Sequence, residues 1–276
     1  MLLKKLENSE QSHNIRIRKP KSITRDSLML AHNPEYVDDF LEGRLSEKEM
    51  RRIGLTPWTP KMIERTLRLT SGALEATIYA VNNGGITGNM AGGTHHAHRD
   101  FGSGYCVFND MAYASLHLIR THKVKKILIF DTDVHQGDGT ASILKDNDKI
   151  FTCSIHCKNN FPFRKSKSDM DVELDDNLED YEYLEILNQT LNSCLKNFNP
   201  ELVIFDTGVD IHKNDKLGNL KITNEGLLKR DITVLEFFKN KSIPIATVIG
   251  GGYSNDKLEL AKRHSLIFKA TSMVFN

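Results

Sequence analysis

Histidine and aspartate recur in this sequence at spacings that packing alone does not explain. Residues 92–97 read Gly92-Gly93-Thr94-His95-His96-Ala97, two adjacent imidazoles behind glycines that let backbone approach a site closely. Residues 131–139 alternate carboxylate and imidazole: Asp131, Asp133 and His135 fall at every second position, with Asp138 following. In an extended chain those first three side chains share one face. Asp206-Thr207-Gly208-Val209-Asp210 and Gly250-Gly251-Gly252-Tyr253 complete the set. Two carboxylates and an imidazole around an open fourth position suit a catalytic zinc ion, so Asp133, His135 and Asp210 are the expected ligands of one zinc per chain. Each motif alone has a plainer reading: a solvated strand end, a surface histidine pair, a turn into a helix. Their joint occurrence, each behind an expected strand, favours the metal site.

The elements that must position these residues are read from apolar periodicity. Residues 126–131 (KILIFD), 149–155 (KIFTCSI), 201–206 (ELVIFD) and 243–249 (IPIATVI) are continuous apolar runs. Such runs predict strands of a mostly parallel sheet flanked by helices on both faces, an α/β fold. Ligands of such sheets lie beyond the carboxyl ends of the strands, where the polar motifs fall. Thr59-Pro60 supplies an N-cap and a first-turn proline for a long helix that keeps its period to Gly84-Gly85. Asn109 can cap a second helix, and others are expected near 180–197, 224–239 and 256–272. Before residue 58 the chain reads as short helices and loops, with a helix at Pro34–Leu41 and a capping box at Ser46 and Glu49. Residues 9–27 have no clear period, and 56–60 read as a rim loop, not a domain boundary.

Composition narrows the function classes. At 276 residues, 39% hydrophobic and 26% charged, the chain fits one large domain over 1–276. Thirty-seven basic and 36 acidic residues leave a formal charge of +1, so no broad surface for nucleic acid or anionic lipid is expected. No apolar run is long enough for a signal peptide or membrane span, which makes a soluble cytoplasmic protein the expectation. Cys106, Cys153, Cys157 and Cys194 lack a CxxC pattern and are expected to be reduced and packed.

From about His32 to the end the sequence resembles the zinc-dependent histone deacetylases and their bacterial relatives, which share a sheet architecture with arginase. The resemblance rests on GGTHHA (92–97), GYCVFND (104–110), DTDVHQGDGTA (131–141), SIHCKNNFPFRK (154–165), DTGVDIHKNDKLG (206–218) and GGGY (250–253). The wording HQGDGTA and NFPFRK, with NPEYVDDFLEG and RRIGLTPW upstream, is most similar to the class IV branch, which includes the eleventh human enzyme and many bacterial proteins. It implies the same zinc ligands, His95 and His96 as an active-site pair with Asp131 and Asp138 as their carboxylate partners, and Tyr253 beside the substrate carbonyl. Gly104, Tyr105 and Phe161 would wall a channel for an acylated lysine. A monovalent cation such as K+ would bind the backbone around Asp131, Asp133 and His135, with Ser154.

The implied activity is hydrolysis of an acyl-lysine amide, by a deacetylase or longer-chain deacylase, with His96 as general base. Small acetylated amines such as polyamines are an alternative substrate class. A noncatalytic acyl-lysine binding module and an arginase-like two-manganese enzyme are further readings. Relative to the family, the segment before the first motifs is expected to be short or missing. Tyr105 stands where the family usually has phenylalanine, and Asp138 where the class IV branch often has asparagine. His98, His156 and His212 lie near the motifs but outside the expected metal site, because lone histidines more often pack or face solvent.

Overall fold

Strands β1 (Ile86–Asn89), β2 (Ile127–Asp131), β3 (Ile150–Cys157), β4 (Met170–Leu174), β5 (Leu202–Asp206) and β6 (Ile245–Val248) form one sheet. Its order is β1-β6-β5-β2-β3-β4, and every neighbouring pair is parallel. The computed structural model describes residues 1–7 and 15–275, so part of the aperiodic stretch expected over 9–27 lies outside the described residues.

The apolar runs are continuous because both sheet faces are covered. Leu128 and Phe130 of β2 pack with Val203 and Phe205 of β5 in one core, which takes in α8 (Asp180–Asn197), α9 (Asn224–Lys239) and α11 (Leu266–Phe275). Ile127, Ile129, Leu202 and Ile204 face the opposite core, with Ala73 and Leu74 of α5 (Pro60–Asn83) and Met111 and Leu118 of α6 (Asp110–Arg120). Phe130 is fully buried, and truncating such a side chain to alanine costs roughly 3–5 kcal/mol. A third cluster holds the N-terminal helices: Tyr36, Val37 and Phe40 of α3 (Pro34–Glu42) and Ile53 of α4 (Glu47–Ile53) pack on Val107 and Phe108.

Local chemistry sets the helix ends. Asn33, Ser46, Thr59, Asn109 and Thr223 accept hydrogen bonds from first-turn N–H groups, and Ser46 forms the full capping box with Glu49. The helix expected over 256–272 is two helices, α10 (Lys257–His264) and α11, separated at Ser265. β4 and α7 (Asp138–Leu144) are additional to the sequence expectation, β1 lies outside the four apolar runs, and α1 (Leu2–Glu7) and α2 (Arg25–Leu28) are among the short helices of the N-terminal part. Among the described residues, no helix is long and apolar enough to cross a membrane. All four cysteines are free and buried.

The chain runs outward from β2 to β3 and β4, then returns to lay β5 on the other side of β2. That reversal opens a crevice beyond the carboxyl ends of β2 and β5. Asp131 pairs in register with Asp206 there, and Asp206 with Val248 of β6, so three strands end side by side. Thr132 donates to the Asp206 carbonyl and Thr207 to the Val248 carbonyl, which finishes each strand on its neighbour.

Candidate metal and hydrolytic site

Beyond β2 the chain does not stay extended. Asp131 Oδ1 accepts the Asp133 N–H and Asp133 Oδ1 accepts the His135 N–H, both at 3.0 Å, so the Asp-x-Asp-x-His run winds through two aspartate turns. The expectation of one shared face therefore fails. Asp131 turns towards the histidine pair, while Asp133 and His135 meet Asp210 from the loop after β5.

That second group is compact and enclosed. His135 Nδ1 lies 2.9 Å from Asp133 Oδ1 and 3.2 Å from Asp210 Oδ2, and candidate ligand atoms of the three residues all fall within 4.8 Å of one another. The Val134 N–H donates to Asp210 Oδ1 and the Gly251 N–H to Asp133 Oδ2, fixing both carboxylates through backbone. Asp210 Oδ2 is buried without a hydrogen-bond partner. Burial and the neighbouring Asp133 push the Asp210 pKa up to about 7. Burial would lower His135, but Asp133 and Asp210 outweigh it and raise its pKa to about 10. Buried carboxylates that repel each other and hold a proton on the imidazole between them have the charge and donor types of a cation site. These residues could hold a metal ion.

Gly251 belongs to this cradle. A Cβ there would sit 2.1 Å from Asp210 Oδ2 and 2.5 Å from Asp133 Oδ2. The buried Arg230 ties down the loop that leads to Asp210, donating to the Gly208 and Thr207 carbonyls while paired with Asp231.

The two imidazoles of the Gly-Gly-Thr-His-His segment sit beside the cluster with ring centroids 4.1 Å apart. Asp110 holds that segment, accepting from the Gly93 and Thr94 N–H groups, and Asn109 Nδ2 donates to the His95 and Ala97 carbonyls. His95 Nδ1 lies 2.7 Å from Asp131 Oδ2, and His96 Nδ1 lies 2.6 Å from Asp138 Oδ1. A carboxylate accepts only, so each ring carries its hydrogen on Nδ1.

The two rings are electrostatically unlike. Burial alone would lower His95, but Asp131 and Asp133 reverse this and raise it well above the ordinary histidine value. Burial and the adjacent His95 push His96 down to about 4, despite Asp138. At neutral pH His96 is therefore the ring with a free Nε2 lone pair, and His95 the one that keeps a proton.

Tyr253 faces the cluster, its ring centroid 6.3 Å from that of His135, and burial raises its pKa. Its N–H donates to Asp215 Oδ2. Phe161 meets the His96 ring edge-on at 4.8 Å, and Tyr105 lies 5.6 Å from Tyr253. Gly104 has φ +52°, and a Cβ there would meet His96 Cδ2 at 2.5 Å, so only glycine leaves the ring its place. Tyr105 and Phe161 are exposed while His95 and His96 are buried. A cavity of about 1070 Å³ between α5, β1 and α11 includes none of these groups.

Ser154 hydroxyl contacts His156 Nδ1 at 3.0 Å rather than any of the residues above. Three participants carried no local signal strong enough to single them out. Asp206 joins His95 and Asp131 in a second cluster of possible ligand atoms, its Oδ2 buried and unpartnered. His98 Nε2 lies 3.0 Å from Asp138 Oδ2. His32, wholly buried, accepts the Asn109 N–H on Nε2 and donates from Nδ1 to the His98 carbonyl. Asp206 was visible only as a strand end, and the other two only as isolated histidines.

A family model described as histone deacetylase domain matches residues 1–267. Among curated proteins, an uncharacterized protein of Picosynechococcus is 43% identical over 93% of this chain and 85% of its own length. Histone deacetylase 2 of Arabidopsis thaliana is 27% identical over 90% of this chain and 68% of its own length. The acetoin utilization protein AcuC of Staphylococcus aureus is 29% identical over 86% of this chain and 66% of its own length. Among solved structures, an HDAC homologue complexed with SAHA superposes with a TM-score of 0.82 at 26% identity, over 98% of this chain and 77% of that one. An HDAC homologue from Aquifex aeolicus gives the same TM-score at 25% identity, over 99% and 77%.

Proposed function

The chain belongs to the histone deacetylase family, and from that premise we propose that it hydrolyses the amide bond of an acylated lysine with one zinc ion held by Asp133, His135 and Asp210. The observation that carries this reading is the buried Asp133, His135 and Asp210 cluster, whose candidate ligand atoms lie within 4.8 Å of one another, beside two histidine–aspartate pairs and a tyrosine. A zinc ion held there would polarise the substrate carbonyl and make the attacking water far more acidic than bulk water.

The protein groups divide the remaining work. His96, neutral because burial keeps its pKa near about 4, offers Nε2 to take the proton of the attacking water. Asp138 fixes its tautomer through the 2.6 Å hydrogen bond and supports the positive charge that develops on the ring. His95, held by Asp131 through a 2.7 Å contact, stands against His96 as its electrostatic neighbour. Tyr253, whose raised pKa keeps its hydroxyl protonated, donates to the oxygen as the carbonyl is attacked. The imidazolium of His96 then gives its proton to the leaving amine. Tyr105 and Phe161, with the backbone of Gly104 against His96, are the groups assigned to contact the apolar stem of lysine in this reading. The proposed residues all stand on one sheet and its rim, so residues 1–276 act as one catalytic domain in this reading, in the cytoplasm.

The sequence wording of residues 135–141 and 160–165 supports a place near the class IV branch. A monovalent cation at the backbone of Asp131, Asp133 and His135 belongs to the same reading. The test is hydrolysis of acetyl-lysine and myristoyl-lysine peptides and of acetylspermidine, each with and without a chelator. Peptide hydrolysis that chelator abolishes and zinc restores supports the proposal. Turnover of acetylspermidine alone would transfer the site to small amines, and binding without turnover would make it a recognition module.

A further inference from the structure

His98 sits at the outer end of a row that begins at the buried His96. Asp138 joins the two rings, Oδ1 at 2.6 Å from His96 Nδ1 and Oδ2 at 3.0 Å from His98 Nε2. Because a carboxylate accepts only, each imidazole presents an N–H to it, and both oxygens are engaged. The His96 side chain is 5% exposed and that of His98 16%.

The outer ring is held firmly for a residue near the surface. It stacks on Phe101 at 4.4 Å with 19° between the planes, and the Arg52 guanidinium lies 4.6 Å over the Phe101 ring. The His98 N–H donates to the Phe101 carbonyl, and the His98 carbonyl accepts from His32 Nδ1 at 2.9 Å. Backbone, stack and hydrogen bond together leave the ring a single orientation.

We propose that His98 is a positioning residue for the hydrolytic reaction: it occupies the second oxygen of Asp138, so that the first stays aimed at His96. Without it, Oδ2 would be a buried acceptor with no partner, and the carboxylate could turn about its Cβ–Cγ bond and lose the His96 hydrogen bond. The inference rests on the proposed role of His96, and its test separates the two.

Two substitutions divide hydrogen bonding from packing. His98→Phe keeps an aromatic ring on Phe101 but has no donor, whereas His98→Gln keeps an N–H that can reach Oδ2. The expected result is a fall in kcat of about 10-fold for His98→Phe with KM and metal content unchanged, and recovery to within about 2-fold of the parent in His98→Gln. In metal-free protein, proton NMR should show the low-field His96 Nδ1–H resonance displaced in His98→Phe and restored in His98→Gln. If His98→Phe does not fold, His98→Leu replaces it in the same comparison. Equal losses in both substitutions, or an unmoved resonance and kcat in the donor-free one, would overturn the proposal. A parent protein that hydrolyses no acyl-lysine would sink the proposed function instead, and the resonance would still decide the role of His98.

Discussion

Replacing Gly251 by alanine tests the metal cradle with one methyl group. The new Cβ would lie 2.1 Å from Asp210 Oδ2 and 2.5 Å from Asp133 Oδ2, against backbone that already donates to Asp133 at 2.7 Å. Carbon and oxygen need more than 3 Å, so the proposed ligand oxygens must retreat by about 1 Å. Gly251 has no unusual φ, so the substitution perturbs the site by volume and not by backbone strain. A displacement of that size costs on the order of 10²-fold in a reacting geometry. We expect Gly251→Ala to bind zinc at least about 10-fold more weakly in competition with a chromophoric chelator, and to lose about 10²-fold in kcat/KM at saturating zinc. Circular dichroism should be unchanged, because the nearest atoms the methyl group meets belong to the Asp210 and Asp133 carboxylates and not to the sheet core. Native zinc affinity and native turnover in a folded Gly251→Ala protein would refute the cradle.

Further expectations bear on the other groups. Tyr253→Phe should lower kcat by about 10²- to 10³-fold with zinc content unchanged, read by steady-state kinetics and metal analysis. Asp138→Asn should reduce turnover while the protein retains its metal; loss of the metal would contradict the assigned role. Acid stability should depend on His32, which burial lowers to about 4 from 6.5. Its unfolded form takes up a proton at pH 6.5 and its folded form only near 4, so falling pH favours unfolding across that window by roughly 1.4 kcal/mol per pH unit for this one group. Thermal unfolding between pH 6.5 and 4 should accordingly be less acid-sensitive in His32→Gln than in the parent, and an identical pH slope would contradict the buried neutral imidazole.

Much of the fold was legible because the runs at 126–131 and 201–206 are apolar at every position, the pattern of strands covered on both faces. The polar groups immediately after them could then be assigned to one rim. β4 escaped because Met-Asp-Val-Glu-Leu alternates charge with apolar side chains, as an edge strand with one wetter face does. The break at Ser265 escaped because the apolar period continues across it. The even spacing of Asp131, Asp133 and His135 suggested one face, whereas the aspartate side chains capture the next-but-one N–H groups and turn the chain. Spacing does not reveal the partners of His98, Asp206, Arg230 or His32: they lie between 22 and 111 positions away, and only the packed sheet brings them together.

The most direct measurement is anomalous diffraction at the zinc edge from crystals of the purified protein, paired with metal analysis of the same sample. One zinc per chain, bonded to His135 Nδ1 and to oxygens of Asp133 and Asp210, is the expected result. Density at His95, Asp131 and Asp206 instead, two manganese ions, or no ion bound at Asp133, His135 and Asp210 in zinc-supplemented crystals would contradict the account.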